Sequence, residues 1–128
     1  MAEMTIKKRP KNLDLTTIRL PLPGKVSILH RVSGAGLFLC FPLLLWLFSA
    51  SLNSPDTFAM FQGVFSTLPA KVILAGLIWA YIHHFCAGVR FLLLDLHVGI
   101  EKEAARKSAA VVFAVSIPLT LIFWGVLL

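Results

Sequence analysis

Three long stretches of the chain contain no Asp, Glu, Lys or Arg: Val32 to Pro55, Val72 to Val89 and Ser108 to Leu128. A helix rises about 1.5 Å per residue, so about 20 apolar residues cross a hydrocarbon core of about 30 Å. The pattern predicts apolar spans at roughly 29–52, 68–94 and 107–127, inside helices at about 25–52, 68–95 and 105–127. The fold class that follows is an all-α membrane protein with three transmembrane helices. It forms one domain, 1–128, with 1–24 as a polar, basic arm.

Turn-forming residues set the expected boundaries. The run Leu20-Pro21-Leu22-Pro23-Gly24 predicts that no helix begins before residue 25. Ser51 to Asp56 is a turn cluster that ends the first helix. Residues 57–67 are short and amphipathic, and are expected along the outer membrane surface. Pro69 suits the first turn of the second helix, and Asp95 and Gly99 mark its end. Pro118 is expected to kink the third, which a membrane helix tolerates. Ser49-Ala50-Ser51 faintly resembles a signal cleavage site. The polar stretch of about thirty residues before the first apolar run argues against a signal peptide.

The charge distribution orients the spans. Lys7, Lys8, Arg9, Lys11, Arg19, Lys25 and Arg31 precede or open the first helix, and Lys102, Arg106 and Lys107 lie in the second loop. The first loop has no Lys or Arg. The positive-inside rule therefore predicts a cytoplasmic N-terminus and second loop, and an external C-terminus. The net charge of +6 is explained by topology and by anionic membrane lipid, not by nucleic acid. Only 14% of residues are charged, against about a quarter in soluble domains. Cys40 and Cys86 fall inside spans without a Cys-x-x-Cys pattern, so neither a disulfide nor a zinc site is expected. The sequence lacks a phosphate-binding Gly-rich loop and an iron–sulfur cysteine set. It also lacks a mid-span acidic residue of the kind a coupled transporter uses. Function is expected in the spans or at their cytoplasmic ends.

Two adjacent histidines interrupt the second span. His84 lies 13 residues after Lys71 and 11 before Asp95, close to the membrane midplane. Ionisable groups at that depth face a bundle interior and point to function. A neutral imidazole in a dry apolar slot suits haem ligation. Gly88 shares the face of His84, leaving room for a flat macrocycle, and Arg90 nearer the cytoplasm suits a propionate. The competing reading is interhelical hydrogen-bonding glue in a haem-free anchor. Spacing does not choose between His83 and His84. Neighbouring helical residues point about 100° apart, so the pair cannot bracket one iron. Of the remaining histidines, His30 lies at the wrong depth and His97 beyond the helix end. A six-coordinate haem would therefore take its second ligand from another chain.

A second constellation opens the first helix. Ser27, His30 and Arg31 stand at i, i+3 and i+4 and share a face. A hydroxyl, an imidazole and a fixed cation at the lipid–water boundary suit a quinone head group. The plainer alternative is that Arg31 only snorkels and sets topology. Ser33, Gly34 and Gly36 suit close helix packing.

The segments Arg9 to Gly34, RPKNLDLTTIRLPLPGKVSILHRVSG, and His84 to Asp95, HFCAGVRFLLLD, together resemble the cytochrome b subunits of succinate dehydrogenase, the larger membrane anchors of succinate:quinone oxidoreductase. The resemblance covers both motifs, their separation, the spans and the orientation. It implies that His84 is an axial ligand of haem b, the other ligand coming from the smaller anchor subunit. It implies that Ser27 and Arg31 border the ubiquinone site and that His30 lies near the propionates and the quinone. It further implies an iron–sulfur subunit docked on the cytoplasmic face, a flavoprotein subunit that oxidises succinate, and residence in a bacterial inner membrane. An anchor of a fumarate reductase is the close alternative. Phe91 departs from the pattern, because many relatives carry a propionate-touching histidine there. That leaves Arg90 or Arg31 to take more of that role.

Overall fold

The computed structural model describes Lys11, Asp14 and residues 16–127. Four helices follow one another: α1 (Leu22–Ser51), α2 (Pro55–Phe65), α3 (Leu68–Asp95) and α4 (Lys102–Leu127). Three of them, α1, α3 and α4, are long and apolar enough to cross a membrane. The expected basic arm lies largely outside the described residues. Its described part includes a turn in which Asp14 accepts hydrogen bonds from the Thr16 hydroxyl (2.6 Å) and backbone N–H (2.9 Å). These bonds hold the Asp14 carboxyl below its ordinary range.

The start of α1 corrects the sequence reading. The helix begins at Leu22, with Pro21 as its N-cap, rather than after the Leu20–Gly24 run. Pro23 sits in the first turn, where its missing N–H would have had no partner in any case. The same proline pair that looked like a barrier therefore opens the helix. Likewise α4 starts at Lys102, a turn earlier than expected. Pro42 and Pro118 lie inside α1 and α4.

The predicted interfacial segment is a true helix, α2. The Ser54 hydroxyl accepts from the Thr57 N–H (3.1 Å) and the Thr57 hydroxyl accepts from the Ser54 N–H (3.1 Å). This reciprocal cap satisfies two otherwise orphaned donors. Pro55 and Asp56 in the first turn add the preferred geometry and charge. Phe61 and Phe65 pack with ring centroids 4.3 Å apart and planes tilted by 34° on the half-buried side, while Phe58, Met60 and Val64 are exposed.

At the other end of the bundle α3 stops in a Schellman motif. The Val98 N–H reaches back to the Leu93 carbonyl and the His97 N–H to the Leu94 carbonyl, both 2.9 Å. His97 occupies the left-handed position with φ 59°, where glycine is the usual residue. Histidine had no expected role here; its backbone is the turn.

Both α1 and α4 run against α3, leaving a small core of Val26, Ala87, Ala109 and Val112. Bulky apolar residues such as Phe38, Trp46, Tyr81 and Ile122 point outward, as a lipid-facing surface requires.

The left-handed backbone at His97 yields a test. The His97→Gly variant in detergent should unfold at higher temperature, with a gain of about 0.5–1 kcal/mol after the extra chain entropy of glycine is set against the relieved strain. An unchanged or lower midpoint would show that the His97 side chain stabilises the turn.

Candidate functional site

Helical geometry sends the two adjacent histidines to different partners. His83 faces α4. It is fully buried, its ring 5.0 Å from Trp79 and 5.3 Å from Phe113. The Val26 carbonyl approaches it, but neither ring nitrogen has a hydrogen bond of good geometry. Ser116 on α4 is likewise buried with an unpartnered hydroxyl.

His84 faces α1. Its Nδ1 lies 2.9 Å from the His30 carbonyl oxygen and 3.3 Å from Ser33 Oγ, while Ser33 Oγ donates to the same carbonyl at 3.0 Å. A carbonyl oxygen carries no proton, so the network assigns the proton of His84 to Nδ1. Nε2 keeps its lone pair, and no hydrogen bond among the described residues engages it. The His30 ring lies flat against that of His84, with centroids 4.1 Å apart and planes 5° from parallel. His30 therefore lies at the depth of His84, not at a different one as the sequence suggested, because α1 begins at Leu22 and carries His30 about two turns into the bundle. Phe91 meets His30 edge-on at 5.1 Å.

Two glycines face this contact, and one of them permits it. A β-carbon on Gly34 would stand 2.6 Å from Cε1 of His84, closer than any side chain tolerates. One on Gly88 would make ordinary contact, 3.6 Å, with Nε2 of His30. Gly88 thus shares the face of His84, as the spacing predicts.

The remaining site residues divide. Ser27 is half-buried and Arg31 exposed, near the N-terminal end of α1. Neither side chain makes a hydrogen bond among the described residues. They stand about 40° apart around the helix and are free to meet a ligand. Arg90 is not brought to His84. Six residues on, it points about 120° away. It is 6% exposed and donates from Nε to Ser108 Oγ (2.9 Å) and from Nη2 to the Ala105 carbonyl (3.2 Å) of α4. The Phe91 ring lies 5.4 Å from its guanidinium carbon.

An apolar groove of about 400 Å³ runs beside Arg90 and Ser108, but it does not reach His84. The histidine site is a helix contact rather than a cavity. Among the described residues no three His, Cys, Asp or Glu side chains gather as a metal cluster. What α1 and α3 offer is a single oriented imidazole. Sequence reasoning assigned Ser33 and Gly34 only to helix packing. Their signal was their position three and four residues after His30, on the face that meets α3.

Residues 5–123 match the family described as succinate dehydrogenase/fumarate reductase transmembrane subunit. The chain belongs to that family. It is 34% identical to the succinate dehydrogenase cytochrome b556 subunit of Paracoccus denitrificans over 95% of this chain and 94% of that one. The subunit of the same name from Coxiella burnetii is 37% identical over 85% and 88%. The mitochondrial cytochrome b560 subunit of Dictyostelium discoideum is 32% identical over 94% of this chain and 64% of its own. The resemblance carried by the Ser27–Gly34 and His84–Asp95 motifs thus extends over nearly the whole chain. The fold agrees: a multi-pass helical membrane subunit.

The buried Arg90 supplies a second test. Ser108→Ala strips the guanidinium of one of its two acceptors and should destabilise the α3–α4 pair by about 1–3 kcal/mol, measured as thermal unfolding in detergent. An unaltered midpoint would mean that water reaches Arg90 at no cost.

Proposed function

We propose that this chain is the haem b- and ubiquinone-binding membrane anchor of a bacterial succinate dehydrogenase. In this reading it works in the inner membrane with a smaller anchor subunit, an iron–sulfur subunit and a flavoprotein subunit. The observation that carries the reading is the state of His84. A ring that gives its Nδ1 proton to a backbone carbonyl keeps Nε2 bare and oriented, which is how metal-ligating histidines are held. His84 would then hold the haem iron through Nε2, and haem b, when bound, would supply a one-electron carrier beside the quinone site.

His30 is not the second ligand. Its ring is parallel to that of His84, so the two present faces, not lone pairs, to each other. His83 faces α4, and His97 lies past the end of α3. A second imidazole would come from a partner chain.

Ser27 and Arg31 take the quinone role. Arg31 keeps a permanent cation at the membrane boundary, and Ser27 offers a hydroxyl donor one turn away. Donors aimed at a quinone carbonyl hold the negative charge that builds there on reduction. His30 lies on the same turn and joins this pocket to His84. Arg90 supports the α3–α4 contact in the isolated chain; Arg31 is the better-placed propionate partner, being exposed and free of internal bonds. The basic residues put the N-terminal end of α1 and the α3–α4 loop on the cytoplasmic side, where the iron–sulfur subunit docks.

Two experiments test this. In complex purified in mild detergent, His84→Leu should abolish the low-spin b-type signal of a reduced-minus-oxidised spectrum, while His83→Leu keeps it. The reverse pattern would move the ligand to His83, and a colourless wild-type complex would leave only a structural anchor. Separately, Arg31→Leu should lower quinone reduction at least tenfold while succinate oxidation by an artificial acceptor persists. Equal survival of both activities would remove Arg31 from the quinone site.

A further inference from the structure

We propose that Ser33 and Gly34 of α1 are positioning residues for the imidazole of His84, Ser33 by a hydrogen bond to Nδ1 and Gly34 by leaving room for the ring. The proposal rests on His84 being the haem ligand.

The geometry has three parts. First, the His30 carbonyl and Ser33 Oγ both lie within reach of Nδ1, at 2.9 and 3.3 Å. The Nδ1 proton is thus shared between two acceptors. Second, Ser33 donates its own proton to the His30 carbonyl at 3.0 Å. That leaves its oxygen lone pairs for Nδ1–H and makes the hydroxyl an acceptor toward the ring. Ser33 is 5% exposed, so water does not replace it readily. Third, a β-carbon at Gly34 would lie 2.6 Å from Cε1, 3.1 Å from Nδ1 and 3.6 Å from Nε2 of His84. Any side chain there must displace the ring, because the opposing atoms belong to a ring held at Nδ1.

The chemical consequence follows from basicity. An imidazole that donates its distal N–H to good acceptors gains electron density at the coordinating nitrogen. Such a ligand favours ferric over ferrous iron and lowers the haem potential. Removing the Ser33 acceptor weakens that push and leaves the single bond to the His30 carbonyl. Adding a methyl at position 34 acts differently. It moves the ring and costs affinity.

The test uses the intact complex. Ser33→Ala should keep haem content close to wild type but raise the haem midpoint potential and alter the ferric low-spin EPR signal. Ser33→Thr, which retains the hydroxyl, should restore both toward wild type. Gly34→Ala should weaken haem retention on dilution or competition by about 10- to 100-fold, the range for losing support of a metal-ligating histidine. Assembly is checked by chromatography and by succinate oxidation with an artificial acceptor. If Gly34→Ala fails to assemble, the Ser33 pair decides alone. Wild-type potential and EPR signal in Ser33→Ala would overturn the proposal while His84→Leu still lost haem. If His84→Leu retained haem, the assignment of the ligand itself would fail instead.

Discussion

The bond from His84 to the carbonyl of His30 couples the two halves of this small bundle. It ties the middle of α3 to α1 at a point where lipid offers no competing partner. One hydrogen bond thereby fixes three things: the register of the helices, the rotation of α3 and the tautomer of the ring. The carbonyl already sits in a helix, so the bond is possible only because α1 and α3 approach closely. Gly34 provides that approach. An imidazole with a bare, oriented nitrogen is in this way built from backbone and small residues.

Once α3 is rotated to bring His84 to α1, its other polar groups must go where that rotation sends them. His83 enters the α4 contact and packs between Trp79 and Phe113 with no hydrogen bond. Arg90, seven residues later and therefore almost on the same face as His83, follows it toward α4. There Ser108 and the Ala105 carbonyl receive it. A buried guanidinium with two neutral acceptors and no carboxylate is costly. Its place near the helix end, on the basic side of the bundle, moderates that cost through snorkelling. The α3–α4 contact is thus the polar counterpart of the α1–α3 contact, and one helix rotation sets both.

Most of this was legible because a lipid solvent imposes a simple code. Uncharged runs marked α1, α3 and α4, and depth singled out the His83–His84 pair. The shared face of His84 and Gly88 followed from a spacing of four. Other features were hidden for identifiable reasons. Pro21 and Pro23 read as a break, yet proline belongs equally to a helix start. Ser54 and Thr57 cap α2 without the glutamate or glutamine that usually announces a capping box. The side on which Arg90 lies depends on which helix α3 turns toward, and sequence does not fix neighbours. Ser33 and Gly34 read as packing residues because helix packing and the seating of a neighbouring imidazole use the same small side chains. By spacing alone His83 and His84 look equivalent; the arrangement of α1 and α4 around α3 sends them to different neighbours.

The same arrangement explains why the chain is incomplete by itself. Its core is four small or branched residues, and α1 buries the least of its apolar window among the three spanning helices. Phe38, Leu39, Phe41 and Trp46 on α1 are exposed. Lipid can cover such a surface, but lipid cannot supply an imidazole. The nitrogen left free on His84 and the open flank of Ser27 and Arg31 therefore belong to one problem. Each is a polar function prepared on the side of α1 and α3 that α4 does not cover. On the proposed function, a neighbouring helix bundle that buries that side would complete the haem ligation and enclose the quinone pocket in the same step. A protein with so small a core would then carry its chemistry at its margin rather than at its centre.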